Sequence, residues 1–304
     1  MATFPEHLRQ GGGISRSDRE AHPMLYHLLA VCLCTVVSAC YQPAEGCLDP
    51  LAANYDVSAD DDCGSTCCNY PSLKLSFQHR LALPGGAEDG TTFRYDSLYP
   101  AFPDTNHLYA VRRARFLLSD LRLVRDDGVA VPLVDRIELI PATGVPLMLT
   151  DCFVRADRDI FQPAAAGTWV GSGLFGALRL TLGLPDSLQG LAPDDWPAGH
   201  LLREDTLLYE EEDGYLALRM LLLRDTFPDT PVTDVRLAGP RTVDLPFDVP
   251  VRIDNGFDVG AILRIRYDRL LEGIDFAADT DDLVGQKMDA NLTKAFSVVE
   301  LKME

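Results

Sequence analysis

Four cysteines lie close together in the first quarter of the chain and form its densest group of reactive side chains. Cys47, Cys63, Cys67 and Cys68 all fall within residues 47–68. Cysteines at this density are typical of disulfide bonds in exported proteins, and a thiolate metal site is the alternative. The spacing Cys63-x3-Cys67-Cys68 lacks the paired C-x2-C of zinc sites. We predict two local disulfides, in which Cys67 and Cys68 each bond to Cys47 or Cys63 with the pairing left open, and a buried free thiol at Cys152.

Three histidines beyond residue 39 are the other candidates for chemistry. His79 ends the apolar-polar stretch Leu73–His79, His107 lies in a polar stretch, and His200 follows Trp196-Pro197-Ala198-Gly199. The imidazole nitrogen is the commonest protein ligand for metal ions. The plainer alternative for each histidine is a half-exposed side chain with a hydrogen-bond partner.

Motifs for known catalytic sites are missing from the sequence. The chain contains no G-x-S-x-G, no H-E-x-x-H and no phosphate-binding loop. We therefore predict that it is not an enzyme. C-x-x-C-H is also missing, which predicts that the chain carries no c-type haem of its own.

An apolar run over residues 24–37 leads into Val37-Ser38-Ala39-Cys40. Small residues followed by cysteine resemble the bacterial lipobox, in which the chain is cleaved before the cysteine and the sulfur carries a diacylglyceryl group. A short transmembrane helix is the alternative, but the run is short for about 30 Å of hydrocarbon. We expect residues 1–39 to be a lipoprotein signal peptide, and lipid on Cys40 to hold the protein on a membrane.

The residues on either side of the run bear on where translation starts and where the protein goes. Arg16 and Arg19 supply the basic start that a signal peptide needs, whereas Met24, an alternative start, leaves only His27. Tyr41 is not the aspartate that retains some bacterial lipoproteins at the inner membrane. We expect an outer-membrane lipoprotein that faces the periplasm or the cell surface.

Acidic residues outnumber basic ones along the chain. The 46 acidic and 27 basic residues give a formal net charge of −19. Such a chain is repelled by phosphate backbones, which predicts no binding to nucleic acid. The same charge favours cations and basic partners, and it also keeps a protein soluble.

Alternation of apolar and polar residues dominates from Leu73 onward, as expected for strands with one face in a core. The clearest stretches are residues 73–78, 178–184, 249–254 and 264–268. Turn sequences such as Asp126-Asp127-Gly128 and Asn255-Gly256 separate them. We predict an all-β protein with an antiparallel β-sandwich or barrel-like domain over residues 72–304, behind a small Cys-rich module over residues 40–71. Helices should be short and lie near 185–190 and 281–290.

The Cys-rich module carries a recognisable pattern. The segments Gly46–Asp56 and Asp60–Tyr70 resemble a short module of exported Bacteroidetes proteins that reads G-C-T-D-P-x-A-x-N-Y…D-D-G-S-C-x-Y. The resemblance implies a secreted setting more than an activity. Carboxylates on tight loops suit calcium, and the module's candidates are Asp49, Asp56, Asp61 and Asp62. Their spacing is not that of an EF-hand, and a solvated acidic turn is the favoured alternative.

The order of several segments resembles the MbnP-like family of periplasmic or lipid-anchored β proteins. The segments are the strand that ends in His79, Phe116–Leu123 with its serine, Leu178–Pro185 leading into a turn, Trp196–His200, and Asn291–Ser297 near the end. The similarity extends over most of residues 73–301. It implies a β-sandwich, a copper site built from histidine, and, in part of the family, a tryptophan that a diheme partner modifies.

Residues carried over by position are His79 as the first copper ligand and Trp196 as the functional aromatic. Asp194 stands where the family has a second tryptophan, and His200 replaces a tyrosine and is a substitute ligand. The strand after Gly214 lacks the family's histidine and offers Met220, a soft ligand for Cu(I) whose alternative is core packing. His107 is a weaker candidate.

Two functions are therefore weighed. The first is a copper-binding protein of the cell envelope that acts with a diheme cytochrome peroxidase-type partner. The second is a non-metal interaction module of an outer-membrane complex, which docks through its acidic face.

Overall fold

A computed structural model describes residues 42–102, 104–142, 144–227 and 229–304. Cys40, the apolar run before it and the expected signal peptide lie outside these residues. None of the helices in the described part of the chain has the length and apolar character needed to cross a membrane.

The described residues are built mainly of strands. The strands are β1 (Glu45–Gly46), β2 (Asp61–Asp62), β3 (Ser72–Leu81), β4 (Thr91–Thr92), β5 (Tyr99–Pro100), β6 (Leu108–Arg125), β7 (Ala130–Pro132), β8 (Arg136–Leu139), β9 (Leu147–Thr150), β10 (Val154–Asp157), β11 (Ala164–Thr168), β12 (Gly173–Leu182), β13 (Tyr209–Glu210), β14 (Gly214–Leu223), β15 (Val232–Ala238), β16 (Arg241–Ile253), β17 (Val259–Arg266) and β18 (Phe296–Met303). The α-helices are α1 (Leu201–Glu204), α2 (Tyr267–Leu270) and α3 (Asp281–Asn291), and the 3-10 turns are Gly64–Thr66, Asp186–Leu188, Pro193–Asp195, Thr206–Leu208 and Leu292–Ala295.

Two sheets face each other across the main core. The large sheet follows the order β13-β14-β6-β12-β16, and β5, β7, β10 and β15 pair along β6 and β14. The small sheet follows the order β11-β3-β17-β18, with β4 on β3. Neighbours are antiparallel except β3 and β17, which are parallel. The predicted all-β sandwich is confirmed, and the sheets do not close into a barrel.

Alternation along the strands explains the sandwich. Leu73 and Leu75 of the small sheet and Leu178 and Leu180 of the large sheet point inward and are fully buried in one core. Burying side chains of this size stabilises the fold by about 1.5–3 kcal/mol each.

A third layer covers the outer face of the large sheet, which the sequence did not predict. We call residues 184–208 the cap; with the hairpin β8–β9 it encloses a second apolar cluster. Phe116 of β6 belongs to the main core, whereas its neighbour Leu117 belongs to this second cluster. Successive residues of a strand point to opposite faces, so β6 serves both cores.

A β-bulge interrupts β6. Asp120 has φ of +49°, and Asp120 and Leu121 together face the single residue Leu180 between the pairs Ser119–Thr181 and Arg122–Arg179. The Ser119 hydroxyl donates to the Gly183 carbonyl at 2.5 Å. Asparagine and aspartate tolerate this left-handed conformation better than most residues do.

Details of the predicted elements differ from the sequence reading at three places. The helix near 281–290 is α3, but the one near 185–190 is a single 3-10 turn. The last alternating stretch ends as a strand at Arg266, and Tyr267 begins α2 while remaining buried. Val249 is exposed because residues 247–250 of β16 lie in a bulge between its two paired segments.

Candidate functional site

A gap in the small sheet leaves a cavity beside His79. β11 pairs with β3 only as far as Leu75, and β4 joins the same edge at Arg80. A cavity of about 230 Å³ lies along this stretch of β3. Besides His79, its lining includes Phe77, Gln78, Phe93, Arg158, Ile160 and Phe161. The site is therefore a half-apolar recess reached from the edge of a strand.

His79 is buried with one ring nitrogen unpaired. The side chain is 7% exposed, and its Nδ1 lies 3.0 Å from the Tyr267 hydroxyl. Its Nε2 is buried and finds no hydrogen-bond partner among the described residues. A buried polar atom without a partner costs about 1–3 kcal/mol, a cost that a ligand bound at Nε2 would remove.

The imidazole of His79 is held in its neutral form. Burial lowers the pKa of His79 to about 4, a shift that Asp157 opposes, Arg158 enhances and Asp159 opposes. Burial also raises the pKa of Tyr267 well above its usual range, so Tyr267 keeps its hydroxyl proton. When that hydroxyl accepts from Nδ1–H, Nε2 presents a lone pair, which is the form of histidine that binds metals.

Other polar groups in the cavity limit what it could hold. The amide oxygen of Gln78 is also buried without a partner among the described residues. The Arg158 guanidinium donates to the Phe93 carbonyl at 3.2 Å and to Asp159 at 2.8 Å, and it lies over the Phe161 ring. The imidazole nitrogen of His79 suits a copper ion, while the neighbouring Arg158 opposes a cation, and Gln78, as the preceding residue of the strand, points to the opposite face of the sheet.

His200 uses both of its ring nitrogens in the protein. Its Nδ1 accepts from the backbone N–H of Leu202 at 3.2 Å and so caps α1. Because Nδ1 is the acceptor, Nε2 carries the proton and donates to Asp151 at 3.2 Å. A metal at His200 would have to displace one of these partners.

Trp196 lies at the centre of the second cluster. It is 1% exposed and stacks on His200 with ring centroids 4.5 Å apart and planes 8° from parallel. Phe153 packs edge-on against both rings. The Trp196 carbonyl accepts from Arg203 at 2.9 Å, which ties the indole's backbone to α1.

His79 and Trp196 lie on opposite faces of the large sheet. Tyr267, the partner of His79, packs edge-on against Phe116 in the main core. Trp196 packs in the cluster that contains Leu117, the next residue of β6. The structure therefore brings His200 to Trp196 and keeps His79 apart from both, although a single site with both histidines near Trp196 was expected.

The two weaker candidates lie in ordinary surroundings. The His107 Nε2 is 2.5 Å from the Arg224 carbonyl, which matches the alternative of a hydrogen-bonded histidine. Met220 is fully buried in the main core, which matches the alternative of core packing.

A buried ionic network joins the cap to the large sheet, and sequence reasoning missed it. Asp205 accepts from Arg115 at 2.6 Å and from Arg155 at 2.7 Å, and Arg115 also donates to Asp157 at 3.1 Å. Tyr95 lies 3.3 Å from the same Asp157. The arginines at outward-facing positions of β6 and β10 could have indicated such a network, but their shared partner, Asp205, is distant in sequence.

The four cysteines of the N-terminal module form two disulfides, as predicted. Cys47 bonds to Cys68 and Cys63 bonds to Cys67, whereas Cys152 is a buried free thiol. The sulfurs of the two bonds converge. In the described part of the chain, one group of three potential metal ligands has its ligand atoms within 4.8 Å of one another, and it consists of Cys63, Cys67 and Cys68. No histidine belongs to this group.

The acidic residues of the module support its loops. Asp49 accepts from the Leu51 N–H and the Tyr70 hydroxyl, Asp56 from Ser58, and Asp62 from backbone N–H groups including that of Gly64. These calcium candidates, with Asp61, do not bring three carboxylates together within 4.8 Å in the described residues.

No model of a known protein family matches the chain, and no curated protein matches it. Among solved structures, MbnP from Methylosinus trichosporium is similar with a TM-score of 0.43 and 12% sequence identity, over 76% of this chain and 98% of that chain. This is a structural relationship and not a family assignment.

Proposed function

We propose that the protein binds copper in the cell envelope and that His79 is its anchoring ligand. The observation that carries the proposal is the buried Nε2 of His79, which is unpaired and belongs to a neutral imidazole beside a cavity. The sequence resemblance to the MbnP-like family implies the choice of copper.

Copper titration of the purified protein tests this proposal. The His79→Ala variant should weaken binding by at least the roughly 10–100-fold that loss of a supporting group costs at a metal site. His107→Ala is the matched control, because His107 already has a partner in the Arg224 carbonyl and should bind as the parent does. Equal affinity of the parent and His79→Ala would end the assignment.

Trp196 is the proposed functional aromatic, and a diheme cytochrome peroxidase-type protein is its proposed partner. An indole that is 1% exposed and stacked on His200 is shielded from small reagents in solution. Its oxidation would therefore require a partner that removes electrons through the protein surface. Intact-mass analysis of protein from its native membrane should show added oxygen on Trp196 only where the partner is present; an unmodified Trp196 beside an active partner would contradict the proposal.

The proposed address is the outer membrane, through lipid on Cys40. The same intact-mass measurement should show a diacylglyceryl group there, and a Cys40→Ser chain should be found without lipid. An unlipidated Cys40 in the native membrane would refute the anchor.

A non-metal interaction module is the second candidate, and the hairpin β8–β9 favours it. Ile140, Val145 and Met148 are 68%, 67% and 61% exposed on this hairpin, next to the cap. Exposed apolar side chains that lie together are typical of docking surfaces. This candidate predicts no bound metal at stoichiometric level, and partner binding that Ile140→Ser and Met148→Ser weaken while the exposed Val249→Ser leaves it unchanged.

A further inference from the structure

Three sulfurs converge in the N-terminal module, although all of them are bonded. The sulfurs of Cys63, Cys67 and Cys68 lie within 4.8 Å of one another. Two of them share one disulfide, and the third is bonded to Cys47. Opening the Cys63–Cys67 bond would leave two thiols beside a sulfur that stays in place.

The backbone that holds these cysteines does not depend on the Cys63–Cys67 bond. The Cys63 N–H donates to the Gly46 carbonyl at 3.0 Å, and the Asn54 amide donates to the Cys67 carbonyl at 2.8 Å. The Cys47–Cys68 bond closes the longer loop, with a sequence separation of 21 against 4. A longer loop restrains the unfolded chain more, so the module should survive opening of the short one.

The two disulfides differ in access. Cys63 and Cys67 are both half-buried, whereas in the other bond Cys68 is half-buried but Cys47 is 1% exposed, so only one of its two sulfurs is open to attack. Attack by an outside thiol requires access to sulfur, so the Cys63–Cys67 bond is the one that a reductant meets first.

The charge around the cysteines favours a cation. Between residues 42 and 71 the chain has six acidic residues and no lysine or arginine. Such a field raises the local concentration of cations. Thiolates select soft ions such as Cu(I), and two thiolates satisfy Cu(I) whereas zinc requires four ligands.

We propose that reduction of the Cys63–Cys67 disulfide creates a second metal site, specific for Cu(I). A dithiol reductant attacks one sulfur, its second thiol resolves the mixed disulfide, and it leaves as a disulfide. The protein gains two electrons and two protons as two thiols. Cu(I) then displaces both protons and is held by the thiolates of Cys63 and Cys67, with the Cys68 sulfur alongside. The oxidised module has no such site.

The order of opening is tested with dithiothreitol on the full chain in which Cys32, Cys34 and Cys40 are replaced by serine. Free thiols are labelled after unfolding and mapped by mass spectrometry. Cys63 and Cys67 should become labelled at reductant levels that leave Cys47 bonded. Simultaneous labelling of Cys47 would overturn the proposal.

Metal binding is tested by titrating the same chain with Cu(I) against a competing chelator, before and after mild reduction. The reduced chain should gain a bound Cu(I) that the oxidised chain lacks, and the double variant Cys63→Ser, Cys67→Ser should lose it. Cys152→Ser is the control and should keep it, because that thiol is buried in the main core. Retention of the ion by the double variant refutes the site.

His79→Ala separates this site from the proposed one. This variant should bind the reduction-dependent Cu(I) as the parent does. Loss of binding at the His79 site and loss of binding at the cysteine site can therefore be told apart.

Discussion

Replacing Asp205 with alanine should destabilise the protein by about 3 kcal/mol. The Asp205 side chain is 2% exposed and neutralises both Arg115 and Arg155. Removing one partner of a buried ion pair costs about 3–5 kcal/mol, because a charge is left without compensation. The lower end applies here, since Arg115 keeps Asp157 at 3.1 Å. Arg155, whose Nε is already buried without a partner among the described residues, carries most of the loss.

Calorimetry of the purified parent and variant measures the effect. For a domain of this size, about 3 kcal/mol corresponds to a fall in Tm of roughly 6–12 °C. The matched control is Asp244→Ala, which removes the partner of Arg179 in a pair whose Asp244 side chain is 51% exposed. Exposed pairs contribute about 0–1 kcal/mol. Equal Tm shifts for the two variants would show that burial of the Asp205 network does not stabilise the fold.

Two further predictions concern His79 and Gly183. In metal-free protein, the pKa of His79 is about 4 in the folded state and 6.5 in the unfolded chain. Only the unfolded chain therefore gains this proton as the pH falls from 6.5 to 4. Stability should drop by about 3 kcal/mol over that window, and denaturant titrations of His79→Gln should lack this part of the drop; parallel pH profiles of the two proteins would contradict the buried, neutral imidazole. Gly183→Ala should cost about 1–3 kcal/mol in the same titrations, because φ is +87° and a Cβ would lie 2.8 Å from the Gly239 carbonyl oxygen, whereas Gly190→Ala, with open space and ordinary φ, should be near neutral.

Local pattern was enough to predict the sandwich, because its strands carry their own signal. Leu73 and Leu75, like Leu178 and Leu180, alternate with polar residues and are buried as that alternation requires. The cap was missed because its residues 184–208 form short turns with no period. Its apolar side chains are buried by packing in one cluster with Leu117, which lies far away along the chain.

The candidate site was predictable in part. Sequence singled out His79, and it placed His200 beside Trp196 because the two are only four residues apart. It could not show that the sheet separates His79 from Trp196, since that depends on which way neighbouring residues of β6 point. Nor could it find Tyr267 as the partner of His79, because Tyr267 lies 188 residues further along the chain and is brought to His79 only by the parallel pairing of β17 with β3.

The bulge at Asp120 also governs how β6 could change in evolution. Before the bulge the even-numbered Phe116 and Leu118 face the main core, and after it the odd-numbered Leu121 and Leu123 do. Deleting Asp120 would remove the bulge and leave Leu121 and Leu123 facing the core in a regular strand, whereas deleting a residue after the bulge would turn the rest of the strand inside out, with leucines in solvent. Related chains should therefore tolerate a one-residue gap at Asp120, whereas an alignment that places a single gap elsewhere in this strand joins residues from opposite faces.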